Sequence, residues 1–351
     1  MNGNSMKKTI ICLVALFSSC SLQKSSIIRE IEVRSVLDLD ELSPKVDIIG
    51  GMLFSRSFFS VDQSGNLFFL DPANHRVLKY TKEGEFIGQI GGIGQGKEDL
   101  FNPLGLYIKD DQAFILNNAG KELKIFSAEG AYISSFKIEN GWRADSLCVD
   151  SDFIYVGVRY LDEKNYNQRG PITVFAKQGK RIGEVGKIVP CASRIGYLNF
   201  NEVFLSKVGN KIFGAFRNRP IIFCYGTDGK EQFYINLEKA GIEEVRGLIE
   251  KEKSQGYDTP ETKKADFSLR HIIYCRAFGA DKKGNFYYSI WSTDNQHPYI
   301  ILQFNNKGKL VKKFVLKSRG RSIIAECIFI DSRGKRWGIG KAGENIILFQ
   351  F

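Results

Sequence analysis

The sequence is poor in the groups that metal and redox chemistry use. It has three histidines, His75, His271 and His297, so a three-histidine zinc site would have to consume all of them. No two cysteines form a Cys-x-x-Cys pair, which argues against a zinc ribbon or a dithiol redox motif. No nucleophile elbow, paired-carboxylate motif or phosphate loop stands out. Beyond the N-terminal segment there is no apolar run of 18 or more residues, so the remainder carries no spanning helix. Charge is in surplus but not in blocks. The net charge is +11, from 50 Lys+Arg against 39 Asp+Glu, and the basic residues are scattered through turns such as Lys282-Lys283 and Lys312-Lys313. That pattern reads as a solvated surface and argues against a nucleic-acid-binding arm.

The N-terminus is a targeting signal. Lys7-Lys8 precede a short apolar stretch, Ile10 to Phe17, that is too short to cross a bilayer, and Ser18-Ser19-Cys20 follow. Residues 1–19 read as a signal peptide, whose removal leaves a net charge of +9, and residues 20–26 read as a tether. The sequence Phe17-Ser18-Ser19-Cys20 resembles a bacterial lipobox, although Leu16 stands one place earlier than the usual leucine. The resemblance implies that Cys20 is acylated and that the protein meets the membrane through this lipid anchor only. Five cysteines then remain, an odd number that cannot all pair. Cys148, Cys275 and Cys327 recur early in apolar strands, as small core residues do.

The rest of the chain, residues 27–351, is a repeat. An apolar strand, an Asp, a Gly turn, a second apolar strand, a polar loop, a third strand, another Gly turn and a fourth strand recur from Phe58, Leu104, Leu147, Val203, Phe278 and Cys327. Short strands rich in Phe, Tyr, Ile and Val, four to a unit of about 40 to 50 residues, predict an all-β, six-bladed β-propeller. The sixth copy ends after its third strand, at Phe351. The alternating segment Ile28 to Val36 is the predicted fourth strand that closes the last blade and removes its open edge. One insertion, residues 236–270, interrupts the pattern between blades four and five. The spacing of Ala240, Val245, Leu248 and Ile249 predicts a helix near Glu238 to Gln255. The repeated Asp62, Asp111, Asp150, Asp281 and Asp331 stand where an Asp caps its own turn, so a structural role is expected. Gly91 to Gly96 resembles a nucleotide loop only superficially, because Asp99-Leu100-Phe101-Asn102-Pro103 follows where a helix would be needed.

Asp71, Asn74, His75, Arg76 and Val77, then Gly84, Phe86, Gly91, Gly94, Gly96 and Phe101-Asn102-Pro103, resemble the NHL-repeat pattern. The match covers blade one and the start of blade two. With the lipobox, the whole chain resembles the six-bladed propeller lipoproteins of Bacteroides-type bacteria. This implies an envelope-anchored binding protein. Ser21-Leu22-Gln23-Lys24 lacks the acidic residues of surface-exported members, which favours the periplasmic side.

The sequence singles out Arg56, Arg143 and Arg276 at inner-strand starts, and Arg159, Arg217 and Trp291 where second strands end. Together they predict a cationic, partly aromatic rim at one mouth of the channel, suited to an anionic glycan, a peptide or a protein loop. No catalytic residue, metal ligand or cofactor is expected. Calcium is the one ion for which Asp145, Asn201 and Glu326 offer oxygens near the channel, although satisfaction of strand ends is the simpler role. A monomer that binds without catalysis is the leading reading. A metal-dependent lyase or lactonase in the channel, and a structural partner in an envelope complex using the insertion, remain alternatives.

Overall fold

The computed structural model describes residues 28–46, 57–138, 142–160, 170–190, 200–254, 273–331 and 333–351. The predicted signal peptide and tether, Cys20 and Arg56 lie outside these residues.

Six sheets form the blades, each with a core of four antiparallel strands: in five of them all four come from one repeat, and the sixth takes three from its repeat and one from the N-terminal region. Blade one is β3 (Phe59–Val61), β4 (Leu67–Asp71), β5 (Arg76–Tyr80) and β6 (Phe86–Ile90). Blade two is β7 (Gly105–Lys109), β8 (Gln112–Asn117), β9 (Glu122–Ser127) and β10 (Tyr132–Lys137). Blade three is β11 (Trp142–Val149), β12 (Phe153–Tyr160), β13 (Ile172–Ala176) and β14 (Arg181–Val185). Blade four is β15 (Val203–Val208), β16 (Lys211–Phe216), β17 (Ile221–Gly226) and β18 (Glu231–Asn236). Blade five is β19 (Ala277–Ala280), β20 (Phe286–Trp291), β21 (Tyr299–Phe304) and β22 (Leu310–Ser318), with the short β23 (Arg321–Ser322) folded back on β22. Blade six is β24 (Ile324–Ile330), β25 (Arg336–Ala342) and β26 (Asn345–Gln350). The first strands touch in a closed ring, β3 to β7 to β11 to β15 to β19 to β24 and back to β3. Turns between third and fourth strands place Gly84, Gly130, Gly179, Gly229 and Gly308 at φ from 80° to 99°, a region that a Cβ disfavours.

The blades pack through two devices. Apolar side chains interdigitate between neighbours, so that Phe59, Phe69 and Trp337 of blades one and six share one cluster. Serines also bond across the seams: the buried Ser60 Oγ accepts from Ile108 N at 3.0 Å, the half-buried Ser206 Oγ accepts from Ala280 N at 3.0 Å, and the buried Ser146 Oγ donates to Val203 O at 2.6 Å. Each seam serine satisfies a backbone group that the blade's own ladder does not reach.

The ring closes with an N-terminal strand, and the closing segment is offset from the expected one. Arg34–Asp38 (β2) pairs antiparallel with β26 and completes blade six. Ile28–Glu32 (β1) instead runs parallel along β22 as an added outer strand of blade five. The physical reason is the length of β22, nine residues against five or six in the other outer strands, which leaves an unpaired edge beside the seam. Ile28 and Ile31 pack there against the blade-five and blade-six clusters.

Among its described residues the insertion holds one helix, α1 (Glu243–Ser254), starting five residues later than expected. Val245 and Leu248 are buried against blades four and five, so its apolar stripe is spent within the fold.

Candidate functional site

The inner strands define two faces. All six start at one end of the channel, the entry face, and turn into their second strands at the other, the hairpin face. In β11, Arg143 and Val149 are six residues apart, so the faces lie roughly 20 Å apart at about 3.3 Å per residue.

The hairpin face holds a cavity of about 340 Å³ to which every blade contributes, including Asp62, Tyr107, Asp150, Lys207, Lys282 and Asp331. Four of the five repeated Asp side chains at this face, Asp62, Asp150, Asp281 and Asp331, are engaged by their turns. Asp62 accepts from Asn66 N at 2.8 Å, Asp281 from Lys283 N and Asn285 N at 2.9 Å each, and Asp331 from Arg333 N and Lys335 N at 2.9 Å each. Asp150 caps its turn through Asp152 N at 2.9 Å and Phe153 N at 2.8 Å, and three of the four also collect an aromatic donor from the second strand: Asp150 from the Tyr155 hydroxyl, Asp281 from the Tyr287 hydroxyl and Asp331 from Trp337 Nε1. The expected turn-capping role is therefore met in four of the five repeats. Asp111 differs: it follows Asp110 in the left-handed region, at φ 55° and 49°, and the two make the hairpin bend themselves. Lys207, 7 % exposed, pairs with Asp150 at 3.0 Å and lies over the Tyr155 ring. Burial pushes the neighbouring Cys148 thiol up to about 12 and raises the Tyr107 hydroxyl as well. Burial likewise pushes Cys327 up to about 12 and Cys224 up to about 11, so these thiols are inert packing groups.

Of the predicted rim residues, Arg143, Arg159, Arg217, Arg276 and Trp291 stand at the other, entry face, while Arg56 lies outside the described residues. Arg143 opposes Arg159 across the β11–β12 ladder. Arg159 and, from the next blade, Arg217 each approach Glu202 Oε2, at 3.4 and 3.5 Å. Glu202 is 2 % exposed and precedes β15, and its carbonyl accepts from Arg217 N at 2.9 Å. A second group forms at blade five. Arg276 bonds Glu326 through Nε at 3.3 Å and through Nη2, and its guanidinium lies 5.0 Å from the Trp291 ring centroid. Trp291 also meets Tyr299, with ring centroids 4.5 Å apart. The structure thus gathers Arg143, Arg159 and Arg217 in one cluster and Arg276 and Trp291 in another. Glu202 and Tyr299 were not singled out by sequence. Glu202 was legible in principle, because it holds the pre-strand position that Arg276 holds in blade five.

Of the oxygens considered for calcium, Glu326 is bonded to Arg276, and Asn201 accepts from Val189 N at 2.7 Å and donates to Val189 O at 3.1 Å. The side chain of Asp145 and all of His271 lie outside the described residues. His75 Nδ1 accepts from Asn102 N at 2.9 Å and its ring stacks on Phe101, whereas His297 Nδ1 sits 2.9 Å from Asp294 at blade five. Among the described residues no group of three or more His, Cys, Asp or Glu side chains is arranged to hold a metal. The Gly91–Gly96 loop closes on an ammonium: Lys124, 4 % exposed, donates to the carbonyls of Gly96 at 2.7 Å and Asp99 at 2.8 Å. Its carbonyls point inward, the reverse of a phosphate cradle.

No protein family matches the sequence, and no curated protein does. Solved propellers match in shape. Regucalcin from Agrobacterium tumefaciens, a calcium-binding protein, superposes with a TM-score of 0.52 at 10 % identity, covering 93 % of this chain and 95 % of that one. A streptogramin B lyase gives 0.50 at 14 % identity over 84 % and 78 %, and the Pan2 WD40 domain of Neurospora crassa gives 0.50 at 9 % over 91 % and 94 %. At such identities the likeness establishes the fold alone: this chain is a six-bladed β-propeller of the architecture shared by enzymes and interaction domains.

Proposed function

We propose that this chain is a binding propeller, tethered to the cell envelope through acylated Cys20 on the periplasmic side, and that it takes a carboxylate-bearing ligand, an acidic glycan or a peptide, at the entry face. The observation that carries the reading is the meeting of Arg159 and Arg217, from neighbouring blades, on the single carboxylate of Glu202, with Arg143 in register beside them. Guanidinium forks match carboxylates bidentately, and at a partly buried mouth the attraction is screened less than on open surface. Four of the repeated carboxylates of the hairpin face, Asp62, Asp150, Asp281 and Asp331, favour binding over catalysis there, because their oxygens are committed to turn donors.

The test is a screen of acidic glycans and peptides with soluble protein starting at Ser21. A ligand whose affinity falls at least about tenfold in Arg159→Met/Arg217→Met, and weakens steeply with salt, supports the reading. Ligands that bind that variant unchanged overturn it. The anchor is tested separately by fatty-acid labelling, expected in the full chain and lost in Cys20→Ser.

A further inference from the structure

The hairpin-face cavity lies at the opposite end of the channel from the arginine cluster. Tyr107 of blade two and Phe329 of blade six meet in its lining, with ring centroids 6.4 Å apart. The Tyr107 hydroxyl forms no hydrogen bond among the described residues. Burial raises its pKa, so it stays protonated and offers the cavity a neutral donor.

Most of the charged side chains in the lining are engaged. Lys207 pairs with Asp150 at 3.0 Å, and Asp331 with Arg333 at 3.3 Å. Asp110 pairs with Lys109 at 3.2 Å and is approached by Lys177 at 3.9 Å. Asp62 takes its donors from Asn66 and has no ion pair among the described residues. Asp111 and Lys282 are left. Both line the cavity and are exposed, and neither side chain forms an ion pair or hydrogen bond among the described residues. The blade-two hairpin is the reason for Asp111. It is a two-residue turn, with Lys109 pairing Gln112, and lacks the longer loop whose N–H groups the repeated Asp caps in four other blades. Blade two faces blade five across a ring of six. The mouth is therefore polarised, anionic where Asp62 and Asp111 stand and cationic opposite, at Lys282.

We propose that this cavity binds a zwitterionic dipeptide, its ammonium at Asp111, its carboxylate at Lys282 and an apolar side chain over Tyr107 and Phe329. Two residues extend over roughly 7 Å, at about 3.3–3.6 Å each, so the termini of a dipeptide engage both sides at once. A single amino acid, with both charges on one carbon, does not. The cavity, about 340 Å³, lies at the small end of ligand sites, which run from about 300 to 1,000 Å³, and this limits the peptide's length. The Tyr107 hydroxyl is the donor for the peptide carbonyl. None of this rests on the entry-face reading, which concerns the other end of the channel.

Calorimetry and ligand-observed NMR with alanylphenylalanine, its N-acetyl form and its C-terminal amide test this on protein starting at Ser21. The free dipeptide is expected to bind, and each blocked form at least about threefold more weakly, as loss of one exposed ion pair brings. Asp111→Asn, which suits the left-handed backbone at φ 55°, should weaken the dipeptide by about the same factor and leave the N-acetyl form unchanged. Lys282→Met should likewise weaken the dipeptide and leave the amide unchanged. No binding of the dipeptide, equal binding of all three compounds, or a dipeptide that binds both variants as it binds the parent would each overturn the site. The blocked forms need no variant, so misfolding of a variant does not blunt the comparison. Dipeptide binding that is lost in Arg159→Met/Arg217→Met and kept in Asp111→Asn belongs to the entry face and sinks this inference alone. Dipeptide binding that depends on Asp111 and Lys282, with no ligand that depends on Arg159 and Arg217, sinks the broader reading alone.

Discussion

The carboxylate of Asp150 receives the N–H groups of Asp152 at 2.9 Å and Phe153 at 2.8 Å, the Tyr155 hydroxyl at 2.9 Å and the Lys207 ammonium at 3.0 Å. Burial alone would raise its pKa. The donors outweigh that, and the group titrates below the ordinary aspartate range. A carboxylate depressed in the folded state stabilises fully above its unfolded pKa, about 3.9, and the contribution is lost as pH falls through the lower folded value. Asp150→Ala also strands Lys207, 7 % exposed, without its partner. The variant is expected to lose about 3 kcal/mol at pH 7. Urea titrations of both proteins should show that difference constant from pH 7 to about 5 and shrinking below about pH 4. A difference that grows on acidification would refute the account. This role was legible in the sequence, because an Asp recurring before a hairpin has a turn to cap whatever lies in the channel. The aromatic donor on the second strand was not, since Tyr155, Tyr287 and Trp337 differ in kind and reach Asp only once the strands pair.

Helix α1 is fastened at one point by charge and along one stripe by apolar contact. Glu244 and Lys313, each 5 % exposed, meet at 2.8 Å between the helix and β22. Glu244 Oε2 has no hydrogen-bond partner among the described residues, so the pair carries a desolvation cost that its single contact offsets only in part. Removing one member should therefore be worse than removing both. Glu244→Met is expected to cost about 3–5 kcal/mol, and Glu244→Met/Lys313→Met to return to within about 1 kcal/mol of the parent or exceed it. Additive losses in chemical denaturation would show instead that the ion pair contributes net stability. The periodicity of Val245, Leu248 and Ile249 announced the helix, and its buried face was readable too. Its partner was not: the pattern states that a stripe is apolar, while the surface it covers depends on the curvature of blades four and five. The same holds for β1 and β2. The alternation of Ile28 to Val36 fits any sheet edge, and the long β22 edge captured its first half.

At the scale of the whole ring, closure is the weakest joint, because one seam alone is held by a strand distant in sequence. The blades themselves were legible, since Gly turns and apolar runs are local; which terminus completes which blade followed only from the count of strands. The structure adds that the closing segment grips both sides. β2 pairs with β26, and Asp38 and Asp40 bond Asn345 Nδ2 and Ile346 N at 2.6 and 3.2 Å. Beyond β2, Leu39, Leu42 and Val46 are buried in the cluster that spans blades one and six, and the Tyr80 hydroxyl donates to Pro44 O. Residues 34–46 therefore act as a clasp over the seam, whereas β1 adds only an outer strand whose Arg29, Glu30 and Glu32 face solvent. Three proteins separate these roles. A chain starting at Val33 keeps the clasp and should retain one cooperative transition, with its midpoint lowered by a few degrees. Leu39→Ala leaves a cavity in the clasp and should cost about 2–5 kcal/mol. A chain starting at Ser57 lacks the clasp, exposes the outer edge of β26 and should unfold non-cooperatively or aggregate. Calorimetry and size-exclusion chromatography read all three. If the chain starting at Val33 fails as badly as the one starting at Ser57, the clasp extends into β1 and the division between the two strands is wrong; if the chain starting at Ser57 unfolds as sharply as the parent, the five complete blades hold the ring shut without it.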